Sequence, residues 1–172
     1  NVFNCRPKTI LIDAHSAYQS SIIGKELSQN YNAELVKIQH HKAHFASVLG
    51  EHQLFDYDEK LLGVVWDGTG YGDDDAIWGG EFFIYDNHTM ERVSHFDYYD
   101  WLANDKMSQE PRIALLSLLD DNNRHYIKDK FSDTEWKIYS KMLENNVLKT
   151  SSVGRLFDAV ASALNIKDIN SF

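Results

Sequence analysis

The chain has 172 residues, 43% of them apolar, which is enough for a packed core of ordinary composition. Its 26 Asp and Glu against 17 Lys and Arg give a formal net charge of −9, which argues against a nucleic-acid surface, where clustered cations must neutralise phosphates. No apolar run approaches the ~20 residues of a membrane-spanning helix, and the opening NVFNCRPKTILIDAH lacks the basic-then-apolar pattern of a signal peptide.

The single cysteine, Cys5, excludes a disulfide within the chain and makes the reducing cytoplasm the simplest compartment. No neighbouring base in the sequence would activate it as a nucleophile.

In chain order, KTILID (8–13) reads as a short buried strand closed by a carboxylate. SAYQSSIIGKELSQNY (16–31) predicts a helix with Tyr18, Ile22, Ile23 and Leu27 at helical spacing. AELVKIQ (33–39) alternates like a strand, and HHKAHFASVLGEHQLF (40–55) returns to helix. KLLGVVWD (60–67), AIWGGEFFIYD (76–86) and MERVSHFDYY (90–99) predict three strands, the last two joined by the turn DNHT. From SQEPRIALLSLLDD (108–121) onward helical patterns dominate. SDTEWKIYSKMLENN (132–146) opens with Ser132 and Glu135 at capping-box spacing. SSVGRLFDAVASALNI (151–166) places Leu156, Val160 and Leu164 on one stripe. The expected fold class is α/β: a mixed sheet with helices over 1–99 and a mainly helical part over 100–172.

Two stretches suggest chemistry. The first is DGTGYGDDD, between two strand-like runs. Gly68, Gly70 and Gly72 permit positive φ and close approach of a ligand to main-chain N–H groups, and Thr69 adds a hydroxyl. The loop lacks the Gly-Lys-Ser/Thr ending of a Walker loop and the ligand alternation of a calcium loop. A long hairpin turn and a phosphate-binding hairpin of the actin and sugar-kinase type both remain open, the latter with carboxylates that could hold Mg²⁺ through water.

The second is IQHHKAHFASVLGEH, where His40 and His44 fall one turn apart on one helical face. That geometry can present two imidazoles to one metal ion, with a third ligand from elsewhere. His15, in DAHSAY, reads as a residue at the start of a helix, and His88, His95 and His125 read as structural.

Taken together, VKIQHHKAHFASVLGEH (36–52), DGTGYGDDDAIWGGEF (67–82) and SSVGRLFDAVASALNI (151–166), with IDAHSAYQSS (12–21) and EPRIALLSLL (110–119), resemble the Kae1-like domain of HypF-type carbamoyltransferases of nickel–iron hydrogenase maturation. The resemblance implies an actin-like lobe of the ASKHA ATPase superfamily. It implies that His40 and His44 bind iron or zinc, completed by a carboxylate from a second lobe. It places Asp67, Gly68, Thr69 and Gly70 on the nucleotide-phosphate hairpin. It matches Gly154 and Asp158 to a segment whose Asp contacts the ribose hydroxyls.

The implied reaction uses carbamoyl phosphate and ATP. Carbamoyl adenylate, made in a partner domain, gives its carbamoyl group to the C-terminal cysteine of the partner protein HypE, and the product becomes a cyanide ligand of the hydrogenase iron. Neither nucleic acid nor membrane is expected as a partner. On this reading the chain is a first-lobe fragment, not expected to catalyse transfer alone.

Two features depart from the family pattern. Ala103 and Asn104 stand before Asp105 where two glycines are usual, so close backbone approach to a ligand is expected to suffer there. Pro111 runs directly into Arg112 without the usual Trp. The alternatives are an O-carbamoyltransferase of the nodulation or antibiotic type, which usually lacks this glycine-rich loop, and a non-catalytic ASKHA half-domain that binds nucleotide or protein. A tRNA threonylcarbamoyl transferase is disfavoured by the acidic charge.

Overall fold

The structure, a computed structural model, describes residues 5–170. It opens with a β-α-β unit. Strand β1 (Thr9–Asp13), helix α1 (Gln19–Tyr31) and strand β2 (Glu34–Ile38) form a two-stranded parallel sheet in the register Thr9↔Glu34 to Asp13↔Ile38. Asn32 closes α1 in the left-handed region (φ 50°), a conformation that Asn tolerates well. Helix α2 (His40–Glu51) starts immediately after β2.

The second sheet begins with the hairpin of β3 (Leu61–Tyr71) and β4 (Ile77–Asp86), antiparallel throughout. β5 (Thr89–His95) pairs with β4 across a turn in which Asn87 and His88 both have positive φ, the geometry that tight hairpins require. β6 (Tyr99–Asp100) and β7 (Lys149–Thr150) complete a mixed sheet, because β7 runs parallel to β4. The mixed α/β arrangement expected from the sequence is the one observed.

Between β6 and β7 lie α3 (Lys106–Gln109), α4 (Pro111–Leu118), a 3₁₀ helix (Arg124–Lys130) and α5 (Asp133–Glu144), and α6 (Val153–Ala163) follows β7. Their core gathers Tyr99, Trp101, Leu102, Met107, Ile113 and Leu116. α5 carries the anticipated capping box in full, Ser132 and Glu135 each bonding the other's backbone amide. A smaller core holds Phe45 and Leu49 of α2 against Val65, Trp78, Phe83 and Tyr85.

Three expectations need correction. β3 does not stop at Asp67: it runs on through the glycines to Tyr71, with a register shift between Trp66 and Gly70, so the true turn is only 72–76. No described glycine has positive φ; Gly70 and Gly72 serve close packing, against the histidines and Trp78, rather than turning.

The apolar stripes also point elsewhere. Tyr18, Ile22, Ile23 and Leu27 stay 37–45% exposed, while α1 seats through Ser21 and Gly24, where a Cβ would stand 2.3 Å from Ile12 Cγ2. α6 likewise buries Val153, Ala159 and Ser162 and leaves Val160 and Leu164 exposed. Small residues allow the close approach, so they, not the largest apolar side chains, mark the buried faces.

Candidate metal centre and phosphate hairpin

The start of α2 is fixed from both sides. Gln39 caps it by accepting from the Lys42 amide (2.9 Å), and its own amide donates to the Tyr71 carbonyl at the end of β3 (2.9 Å). His40 and His44 therefore face β3 across a gap kept open by Gly70. A Cβ there would lie 2.5 Å from His41 Cε1 and 2.7 Å from His40 Cδ2.

Strand alternation turns Gly63, Val65 and Asp67 toward α2, and Phe45 fills the space against Gly63. Asp67 then lies at the register shift, where an irregular ladder commonly re-aims a side chain. Its Oδ2 is 3.0 Å from His40 Nε2 and 3.6 Å from His44 Nε2, and the two histidine nitrogens are 3.1 Å apart. One ligand atom from each of His40, His44 and Asp67 fits within 4.8 Å.

The donor set suits a cation. Tetrahedral zinc with bonds of about 2.0–2.1 Å separates its donors by about 3.3 Å, close to the observed spacings. The surroundings of His40 are compatible with this. His40 Nδ1 faces the Asp13 carboxylate at 2.9 Å while Nε2 faces Asp67. A neutral imidazole has one proton for these two acceptor-only groups. With it on Nδ1, the lone pair of Nε2 converges with the Asp67 oxygen, an arrangement that a metal ion or a second proton relieves. The sequence reading looked outside this chain for a third ligand; the structure brings a carboxylate of this chain, Asp67, to the two histidines.

His41, between them in sequence, is different in kind. It is fully buried, its Nδ1 meets Gln39 (3.2 Å), and burial followed by the neighbouring His40 lowers its pKa to about 4. It is a neutral packing residue.

The hairpin joins α6 at its base. The Ser152 hydroxyl donates to the Gly68 carbonyl (2.5 Å) and accepts from the Arg155 amide (3.1 Å), capping α6 directly on β3. A Cβ on Gly154 would come within 3.0 Å of Gly68 Cα. Gly68 and Gly154 are thus in contact, and Thr69 and Gly70 line a cavity with His15, Tyr18, Asn104 and Asp105. Asp158, one turn further along α6, has its Oδ2 2.9 Å from Arg155 Nε, and burial raises its pKa against the pull of that arginine.

Of the three consecutive aspartates, Asp74 is occupied by the protein. It accepts from Trp78 Nε1 (2.7 Å), the Tyr98 hydroxyl (2.5 Å) and Arg92 (3.1 Å), so it staples the turn. Asp75 accepts from the Tyr71 hydroxyl, and Asp73 lies 3.5 Å from Lys42 Nζ. Ala103 and Asn104 keep positive φ (54° and 49°) although neither is glycine. The chain before Asp105 is thus left-handed at two residues that are not glycine.

Sequence reasoning missed four residues that build this region: Asp13, Ser152, Arg155 and Glu81. Glu81 is fully buried. Burial pushes its pKa up, yet hydrogen bonds from Ser151, Gly80, Gly79 and Arg92 outweigh this and hold it below the usual carboxylate range. It pins β4 to the β7–α6 junction.

Comparison with known proteins places the chain in a family. Residues 63–172 match the family model described as "Carbamoyltransferase, Kae1-like Domain, second subdomain", and residues 1–51 match the "HypF Kae1-like domain". The chain belongs to the HypF carbamoyltransferase family. It is 37% identical over 165 residues to a Methanocaldococcus jannaschii protein named "Probable carbamoyltransferase HypF", covering 91% of this chain and 21% of that protein. It is 32% identical over 188 residues to the carbamoyltransferase HypF of Synechocystis, covering 96% and 24%.

Two solved structures share the fold. Full-length HypF in its phosphate- and nucleotide-bound form gives a TM-score of 0.80 at 31% identity, covering 96% of this chain and 22% of that one. HypF of T. kodakarensis gives 0.84 at 29% identity, covering 96% and 23%. The chain thus spans between a fifth and a quarter of the length of these HypF proteins. An actin-like lobe agrees with this kinship. Among the described residues, no helix is long and apolar enough to cross a membrane.

Proposed function

We propose that this chain supplies the metal-binding face and the phosphate hairpin of a HypF-type carbamoyltransferase. In the complete protein the carbamoyl group of carbamoyl adenylate passes to the C-terminal cysteine thiolate of a HypE-like acceptor. Carbamoyl phosphate and ATP are the ultimate substrates, and the 172-residue chain alone is expected to be inactive. The observation that carries the reading is the convergence of His40, His44 and Asp67 within 4.8 Å, beside a glycine-rich hairpin, in a chain of this family.

His40, His44 and Asp67 would hold the ion, zinc or iron. When bound, it supplies Lewis acidity toward a carbonyl or phosphoryl oxygen. The main chain at Gly68, Thr69 and Gly70 would orient the adenylate phosphate, with the N–H groups of Thr69 and Gly70 suited to negative charge, since that of Gly68 already donates to Asp67 Oδ1 (2.6 Å). Asp158 would accept from the ribose hydroxyls, an exchange that requires it to turn from Arg155. Asp73 and Asp75 are the better placed of the acidic residues to support a hydrated Mg²⁺, since Asp74 is committed to Trp78, Tyr98 and Arg92.

The test is carbamoyl transfer from carbamoyl adenylate to a cysteine-tailed acceptor peptide, read by mass spectrometry with the full-length protein. Mass gain on the cysteine that disappears in His44→Ala supports the reading. Transfer to a hydroxyl acceptor instead would point to an O-carbamoyltransferase. Nucleotide binding without any transfer would point to a binding module.

A further inference from the structure

β1 and β2 run parallel, and their register sets Asp13 beside Ile38, with the Ala14 amide donating to the Ile38 carbonyl (2.8 Å). Two residues beyond Ile38 the chain begins α2 at His40. Asp13 is thereby delivered to His40 across 27 residues of sequence, and its Oδ2 meets His40 Nδ1 at 2.9 Å. The carboxylate is held still: Oδ1 accepts from the His15 amide (2.7 Å), the backbone carbonyl accepts from the Ser21 hydroxyl (3.2 Å), and the side chain is only 15% exposed.

We infer that Asp13 is the positioning residue of the metal centre: by accepting the Nδ1 proton of His40 it fixes the ring's tautomer and plane, and so presents Nε2 unprotonated beside Asp67 and His44. The inference rests on the metal-centre reading above. Its physical basis is that an imidazole carries its proton on one nitrogen when neutral, and the hydrogen bond at one nitrogen decides which is left to ligate. Without the carboxylate, the His40 proton is free to sit on Nε2, where it blocks ligation, and the ring is free to rotate.

The experiment is zinc affinity of the chain by competition with a chromophoric chelator, for the unaltered protein, Asp13→Ala, Asp13→Asn and His44→Ala. Asp13→Ala is expected to weaken zinc binding about 10- to 100-fold. Asp13→Asn, which keeps an acceptor oxygen but not the charge, is expected to fall between. In metal-free protein, ¹⁵N NMR of the His40 ring is expected to show the Nδ1–H form, lost in Asp13→Ala.

Unchanged zinc affinity in both folded Asp13 variants would overturn the inference. If Asp13→Ala fails to fold, Asp13→Asn decides: affinity equal to the unaltered protein refutes the role, and a loss supports it. If the unaltered chain and His44→Ala bind zinc alike, or neither binds, the metal-centre reading itself fails and takes the inference with it.

Discussion

The carboxylate of Glu135 accepts from the amide and hydroxyl of Ser132 (both 2.9 Å) and pairs with Arg112 (2.7 Å). The hydrogen bond from Arg112, followed by those from Ser132, lowers its pKa to about 2. A carboxylate whose folded pKa is depressed contributes stability that is complete above its unfolded pKa, near 4.5, and is lost as pH falls through about 2. Glu135→Gln is therefore expected to melt below the unaltered protein at pH 6, by about 1 kcal/mol for so exposed a partner. The gap between the two should close on going from pH 4.5 to pH 2. Glu81, Asp74 and Asp168, also held below the usual range, titrate in both proteins, so the difference isolates Glu135. A gap that stays constant across that window would refute the assignment.

Residues of the site were legible in the sequence to different depths. His40 and His44 showed themselves because helical spacing of four is local. Asp67 was singled out, but for the hairpin. Its turn toward the histidines depends on strand alternation and a register shift, neither of which the glycine-rich sequence reveals. Asp13 was unreadable, because only the parallel register of β1 and β2 brings it to His40.

At the scale of elements, the junction of β4, β7 and α6 sets the hairpin's geometry. A Cβ on Gly80 would stand 2.4 Å from the Ser151 carbonyl oxygen, a backbone atom that cannot swing aside, and 2.8 Å from Phe96. Gly80→Ala is expected to destabilise the fold by about 1–3 kcal/mol, measured by chemical denaturation. Gly68→Ala, whose Cβ would meet nothing closer than Arg155 Nη2 at 3.9 Å, is expected to be near neutral. Equal losses in both would contradict this packing.

The same crowding explains what the sequence concealed among the elements. Most strands and helices were readable from periodicity. The expectation that glycines break β3 failed, because none of them takes positive φ; Gly70 is there to admit the histidines at close range, and on the α6 side it is Gly154 that admits the backbone of Gly68. The stripe on α1 failed, and that on α6 held only at Leu156, because an apolar pattern says which face is greasy, not which face is covered.

For the molecule as a whole, the candidate site draws on both sheets. Asp13 comes from the two-stranded sheet, Asp67 from the mixed sheet, and His40 and His44 from the helix between them. Exposed apolar residues line one face of β3, with Leu62, Val64 and Trp66 each more than half exposed. The helical half, by contrast, closes its own core around Leu102, Met107 and Leu116.

The most direct test of the metal centre is a crystal of the chain soaked in zinc and measured at the zinc absorption edge. An anomalous peak about 2.0–2.2 Å from His40 Nε2, His44 Nε2 and an Asp67 oxygen is the predicted result. No peak there, or zinc bound only to other residues while these three side chains keep their positions, would contradict it.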